Sequence, residues 1–304
     1  MRIVIAGLGR MGANMARRLC RGSIEVIGLN RTQSVVDELA AEVGVIPATS
    51  REEAVAQLTA PRVVWLMLPS GKTTEEAVTA FSALLESGDI LVDGGNSNYH
   101  ESLRRAGGLA AKGIHYVDAG TSGGVWGLDN GYCMMVGGET TAINIIKPAL
   151  QVLAPAPDRG WAHVGPVGAG HFTKMVHNGI EYGMMQAFAE GLTLLRGKQE
   201  FALDLAQITE LWRHSSVVRS WLLDLTAEAL AADQELTDIA PFVADSGEGR
   251  WTAVEAIDQG VATPVMTLAL QARFSSQDDY GYGNRLLSMM RNAFGGHAVK
   301  KGSG

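Results

Sequence analysis

The first twelve residues constrain this chain more than any other stretch. Residues 2–6 read RIVIA, 7–12 read GLGRMG, and a helix-compatible segment, NMARRLCRG, fills 14–22. A second apolar run at 24–29 then ends at Asn30. The order is strand, tight turn, helix, strand, with hydrophobic periodicity changing at the glycines. Gly7, Gly9 and Gly12 supply G-x-G-x-x-G between strand and helix. Glycine suits such a turn for three reasons: the chain bends sharply, backbone approaches a diphosphate closely, and helix packs tightly on strand. The free N–H groups and positive end of the helix then face the phosphates. Residues Gly7, Leu8, Gly9, Arg10, Met11 and Gly12 are therefore the expected diphosphate site of a dinucleotide.

Apolar runs recur at 63–68 and 90–92, each after a helix-like segment, and short strands are expected at 115–118, 132–136 and 162–164. Alternation of near-continuous apolar strands with helices predicts a doubly wound, parallel α/β sheet of the Rossmann kind, covered on both faces. Past residue 165 the texture changes. The stretch 168–196 is helix-compatible almost throughout, and helical patterns dominate to about 293. The expected plan is a dinucleotide-binding domain over 1–165, an all-helical substrate and dimerisation domain over 166–295, and a polar tail over 296–304. Trp212 and Trp221 are read as core residues of the helical part.

The end of the second strand selects the dinucleotide. An acidic residue there would hold the ribose 2′-hydroxyl and repel a 2′-phosphate. This chain has Asn30, Arg31 and Thr32 instead. Arg31 can pair with a phosphate and stack on adenine, and Thr32 can donate a hydrogen bond. NADP is favoured, with NAD also open. At the carboxyl edges of later strands lie Leu68, the segment DGGNS at 93–97 and the segment GTSGG at 120–124. Asn96 offers an amide to substrate or cofactor, and Ser122, Gly123 and Gly124 offer a hydroxyl and backbone N–H groups suited to a carboxylate. Plain turns use the same residues.

The segment HFTKMVHNGIEY at 171–182 is the most informative. Read as a helix, Lys174, His177, Asn178, Glu181 and Tyr182 fall at i, i+3, i+4, i+7 and i+8, a single face. The remaining positions are mainly apolar, so this helix is expected to be buried nearly all round. Buried Lys and Glu need a partner or a purpose. Two turns separate them, about 10.5 Å along the axis, a span that fits a small sugar acid with one acid–base group at each reacting carbon.

Together these motifs resemble one family, the 6-phosphogluconate dehydrogenases of the β-hydroxyacid dehydrogenase superfamily, in the short form. The resemblance covers nearly the whole chain and rests on GLGRMG, LNRT, DGGNS, SGG at 122–124, HFTKMVHNGIEYG, SGEGRWT at 246–252 and RNAFGGH at 291–297. It implies NADP- or NAD-linked oxidative decarboxylation of 6-phosphogluconate to ribulose 5-phosphate. It also implies that Lys174 takes the C3 hydroxyl proton and that Glu181 protonates the carbon left after CO2 departs. Asn96, Ser122, Gly123, Gly124, His177 and Asn178 would hold the sugar acid. Tyr182 and Arg273 would grip its phosphate, with Arg291 and His297 reaching that site from a partner subunit in a homodimer or homotetramer. Two departures stand out: Ser246 replaces a lysine of the long-form members, with Arg250 a nearby candidate substitute, and Met67-Leu-Pro-Ser-Gly71 replaces their Val-Lys-Ala-Gly.

The chain has 304 residues, a net charge of −7 and two cysteines. These argue against nucleic-acid binding and against a disulfide framework. No signal peptide, membrane span or metal-ligand spacing is evident, so a cytoplasmic, metal-independent enzyme is expected. Two other readings compete: a non-decarboxylating dehydrogenase acting on a small acid such as 3-hydroxyisobutyrate, and a catalytically idle dinucleotide-binding regulator. Glu181 and the Arg291–His297 pair count against the first, and buried Lys174 with Glu181 against the second. Arg31→Asp is expected to shift the ratio of kcat/KM values from NADP toward NAD by roughly tenfold or more, about 1.4 kcal/mol. An unchanged ratio in steady-state kinetics would contradict the reading of the second strand.

Overall fold

The computed structural model describes residues 1–278, 281–295 and 298–300. Its contacts divide into two compact units, Met1–Asn178 and Gly179–Gly304. The first is built on an eight-stranded sheet. Its strands are β1 (Arg2–Ala6), β2 (Glu25–Leu29), β3 (Ile46–Ala48), β4 (Val63–Leu66), β5 (Ile90–Asp93), β6 (His115–Ser122), β7 (Cys133–Gly137) and β8 (Trp161–Gly165), in the order β3-β2-β1-β4-β5-β6-β7-β8. The order reverses direction between β1 and β4, the topological switch point at which such sheets bind ligands.

β1 shows why the strands read as unbroken apolar runs. Ile3 and Ile5 enter one buried cluster with Leu19, Val26 and Trp65, while Val4 and Ala6 enter another with Val64, Leu66 and Phe81. Side chains alternate between faces, and helices cover both. Three features differ from the expectation. β3 is an additional edge strand, only three residues long and containing Pro47, which an edge position tolerates. β7 runs antiparallel to β6, although it is parallel to β8. β6 extends through Gly120 and Thr121 to Ser122, so only Gly123 and Gly124 leave the sheet.

The reason for glycine inside β6 is packing. The helix Ala169–Gly197 starts directly over β6 and β7. A Cβ on Gly120 would lie 2.4 Å from the Lys174 Cβ and 2.8 Å from the Gly170 carbonyl oxygen. One on Gly170 would lie 2.4 Å from the Asp118 carbonyl oxygen and 2.5 Å from that of Met135, and one on Gly137 would lie 2.5 Å from Asp118 Oδ1. Gly120, Gly137 and Gly170 thus form a seam in which helix and sheet meet backbone to backbone.

The second unit is helical: the long helix continues into it, followed by Leu205–Trp212, Trp221–Ala232, Glu248–Gln259, Pro264–Ser276 and Tyr282–Gly295. Side-chain caps start two of them, Asp204 accepting from Gln207 N and Ser220 from Leu223 N. A small core joins Tyr182, Ala253, Ala269 and Leu270. Much apolar surface stays outside it. Ile180, Met184 and Met185 of the long helix are 51%, 38% and 41% exposed, so that helix is not buried all round as its composition implied. Trp221 is 48% exposed rather than core. One copy of so small a unit lacks the interior to enclose these side chains.

Gly170→Ala tests the seam. Alanine favours a helix over glycine by about 1 kcal/mol, but overpacking against backbone costs typically 1–3 kcal/mol. The variant is expected to unfold at lower urea concentration than wild type; a raised midpoint would contradict the packing.

Candidate active site

The glycine turn has two kinds of glycine. Gly7 has φ +98°, and a Cβ there would lie 2.4 Å from the Met67 carbonyl oxygen; a Cβ on Gly12 would lie 1.9 Å from the Gly7 carbonyl oxygen. Internal packing accounts for both. Gly9 differs, because a Cβ there meets nothing within 4 Å. Gly9 is also the N-cap of the helix Arg10–Arg21 and supplies no side-chain cap. Open space beside uncapped helical N–H groups is what a diphosphate requires, so these residues fit a dinucleotide.

Asn30 fastens the end of β2 to this turn. Its Oδ1 accepts from Leu8 N at 3.1 Å, and its Nδ2 donates to the Thr32 carbonyl at 3.2 Å. Leu8 itself is buried, whereas Arg10 is exposed and Met11 partly so. Arg31 and Thr32 are exposed, and the Thr32 hydroxyl makes no cap to the helix Gln33–Val43 that it precedes. The structure thus leaves both side chains available and employs Asn30 as a brace.

The neighbouring strand ends adjoin the turn. A Cβ on Gly7 would also lie 2.8 Å from Leu68 Cδ2, and one on Gly95 would lie 2.4 Å from the Leu68 carbonyl oxygen. Asn96 has φ +51°, a left-handed conformation that Asn adopts more readily than most residues. Its amide is clamped to β6: Nδ2 donates to the Thr121 carbonyl at 3.0 Å, and Oδ1 accepts from Thr121 N at 2.8 Å. The Asp93 carboxylate is fully buried beneath and accepts from Gly95 N and Ser97 Oγ.

Lys174 is held from two directions. Below it, the buried Asp118 carboxylate accepts from Gly168 N and His171 N at 2.7 Å each. It thereby caps the long helix and opposes the helix dipole with negative charge. Above, Lys174 Nζ donates to Asn178 Oδ1 at 2.5 Å and lies 3.5 Å from His177 Nδ1. Lys174 is only 5% exposed. Ser122 follows Asp118 and Gly120 on the same face of β6, next to Gly123 (φ +126°) and Gly124 (φ +52°).

In the second unit, Glu181 is partly buried and Tyr182 is 5% exposed. The Arg273 guanidinium stacks 3.4 Å above the Tyr182 ring and donates to the Ala244 carbonyl at 2.9 Å. Tyr182 Oη lies 3.1 Å from Ser246 Oγ, which donates to Glu248 at 2.5 Å. Arg250 pairs with Asp245 at 2.8 Å and stacks 4.9 Å from the Phe274 ring, so it does not join the Tyr182–Arg273 pair. Arg291 is exposed on the last helix and takes part in none of these bonds. His297 lies outside the described residues. Among the described residues no group of His, Cys, Asp and Glu is arranged to hold a metal ion, and no helix is long and apolar enough to cross a membrane.

Residues 2–165 match the NAD binding domain of 6-phosphogluconate dehydrogenase, and residues 170–288 match the 6-phosphogluconate dehydrogenase C-terminal domain. The chain belongs to the 6-phosphogluconate dehydrogenase family. It is an oxidoreductase with a dinucleotide-binding domain. A Haloferax volcanii protein named as an NAD(+)-dependent, decarboxylating 6-phosphogluconate dehydrogenase is 38% identical over 302 residues, covering 99% of both chains. A Bacillus subtilis member named as NADP(+)-dependent is 35% identical over 287 residues, covering 90% of this chain and 61% of its own. The Plasmodium falciparum 6-phosphogluconate dehydrogenase, solved apo, with NADP+ and with 6-phosphogluconate, superposes with a TM-score of 0.83 at 28% identity, covering 100% of this chain and 67% of that one.

The structure adds a supporting layer whose role motif reading missed: Asp93 and Ser97, inside DGGNS, with Arg105, Tyr116 and Asp118. A buried acid inside an otherwise apolar strand was the available signal for Asp118. Glu75 belongs to this layer. Hydrogen bonding from Arg104, and then from Arg105, lowers its carboxyl from 4.5 to about 2. Its folded-state value lies below the ordinary one, so ionised Glu75 stabilises the fold above pH 4.5, and that contribution fades as pH falls toward about 2. Glu75→Gln is therefore expected to lower Tm most near neutral pH and progressively less below pH 4.5. A Tm difference that does not shrink on acidification would contradict it.

Proposed function

We propose that this enzyme oxidatively decarboxylates 6-phospho-D-gluconate to D-ribulose 5-phosphate and CO2, with NADP as the preferred oxidant and NAD also accepted. The carrying observation is Lys174, a buried amine on the capped helix that also bears Glu181. The dinucleotide, held by the glycine turn with Arg31 and Thr32, supplies a hydride acceptor when bound. Lys174 takes the proton from the C3 hydroxyl. The β-keto acid so produced loses its C1 carboxylate as CO2, because the C3 ketone receives the electron pair and takes a proton back from Lys174, leaving an enediol. Glu181 then delivers a proton to C1 of the product.

Asn178 and His177 orient the Lys174 amine, and Ser122, Gly123 and Gly124 receive the carboxylate. Asn96, fixed by Thr121, stands between substrate and oxidant. Tyr182 and Arg273 take the phosphate, the arginine being presented on an aromatic face. For NADP, the support is an exposed Arg31 at the end of β2 in place of an acid.

Exposed Leu194, Ile257 and Leu268 of the second unit, at 77%, 77% and 67%, support burial against a second copy. In the proposed homodimer, or a tetramer of such dimers, Arg291 and His297 complete the partner's phosphate site. The first domain, 1–165, then serves the dinucleotide, and 166–295 the substrate and the dimer. Two free cysteines accord with the cytoplasm as the working compartment.

Lys174→Ala is expected to lower kcat by roughly 10²–10⁴-fold, the usual worth of a positioned base, with an unchanged circular dichroism spectrum. Residual turnover within tenfold of wild type would remove Lys174 from the base role.

A further inference from the structure

Arg105 carries a guanidinium that is 1% exposed, on the helix Tyr99–Ala110 behind the strand ends. Its three nitrogens point to three different places. Nε donates to Glu75 Oε2 at 2.9 Å, Nη1 to Asp93 Oδ2 at 3.3 Å, and Nη2 to the Gly71 carbonyl at 3.3 Å. Gly71 ends the loop after β4 and caps the helix Lys72–Ser82, which bears Glu75. Asp93 ends β5. One cation therefore binds the loops leaving two adjacent strands, and a point-charge ammonium could not reach all three acceptors.

Asp93 transmits this hold to one residue. Its Oδ1 accepts from Gly95 N at 3.0 Å and its Oδ2 from Ser97 Oγ at 2.8 Å, the two neighbours of Asn96. Oδ2 also accepts from Tyr116 Oη at 2.8 Å. Asn96 sits between the gripped residues at φ +51° with its amide turned onto Thr121. Without the arginine, a buried carboxylate would keep only hydroxyl and amide donors and would lack a counter-charge.

We propose that Arg105 is a positioning residue for the oxidation: acting through Asp93, it sets the backbone of Asn96 between substrate and dinucleotide. The inference rests on the proposed activity. It concerns the orientation of the reacting groups, not the capture of the adenosine half, which the glycine turn and Arg31 serve.

The test is a double-mutant cycle of Arg105→Gln and Asn96→Ala in the full-length enzyme, with NADP and 6-phosphogluconate. Arg105→Gln is expected to lower kcat at least tenfold while the KM for NADP stays within about threefold. In the Asn96→Ala background, Arg105→Gln is expected to lower kcat less than threefold, because the group it positions is already gone. Equal losses in both backgrounds, or wild-type kcat in the single variant, would overturn the proposal. Should Arg105→Gln fail to fold, Ser97→Ala carries the same cycle, since it removes one hydroxyl from Asp93; its effect must likewise vanish with Asn96 absent, and additivity would overturn the inference. Turnover by wild type separates the two claims. A wild type inactive on 6-phosphogluconate overturns the proposed activity and this inference with it, whereas an active wild type with an additive cycle overturns the inference alone.

Discussion

A single buried carboxylate, Asp118, holds the first unit's chemistry in place. It takes the N–H groups of Gly168 and His171 at the start of the helix that carries Lys174. Close approach is possible because glycine occupies the three facing positions, 120, 137 and 170. The lysine is therefore fixed relative to the end of β6, where Ser122 and the following glycines stand. Were the helix to shift on the sheet, the proposed base and the proposed carboxylate site would part company, and a displacement of an ångström is enough to cost catalysis heavily.

A similar division of labour runs through the rest of the first unit. Residues proposed to face a ligand are backed by others that bear on their neighbours. Asn30 ties β2 to the glycine turn, Thr121 holds Asn96, and Asp93 grips the residues on either side of it. Such support would let a protein of net charge −7 receive the proposed phosphorylated acid and a dinucleotide, because a few placed donors and cations act locally where the overall field does not. The second unit follows another logic. Its small core and exposed apolar helices suit a structure completed by association, in keeping with the proposed dimer.

Legibility in the sequence followed the range of the interactions. The strand–glycine–helix start was plain because its signals are local: a period change, three glycines and an apolar run on either side. The long helix was equally clear from composition and spacing. β3 escaped notice because three residues including a proline carry little pattern. The segment 120–124 looked like a loop because glycine, threonine and serine favour turns, yet Gly120 is a strand residue making room for the Lys174 stem. Asp118 and Arg105 act on partners that only the fold brings near, Asp118 across about fifty positions. Exposure of the long helix beyond Gly179 was hidden for a different reason: composition reports that a side chain seeks burial, not whether its own chain provides it.

In the proposed reaction Lys174 and Glu181 serve an oxidation followed by loss of CO2. The most direct measurement follows reduced dinucleotide by its near-ultraviolet absorbance and CO2 from substrate labelled at C1, in one reaction with 6-phosphogluconate. The two are expected to appear together in equal amounts, faster with NADP than with NAD. Reduced dinucleotide without labelled CO2, or no reduction with either dinucleotide, would contradict it.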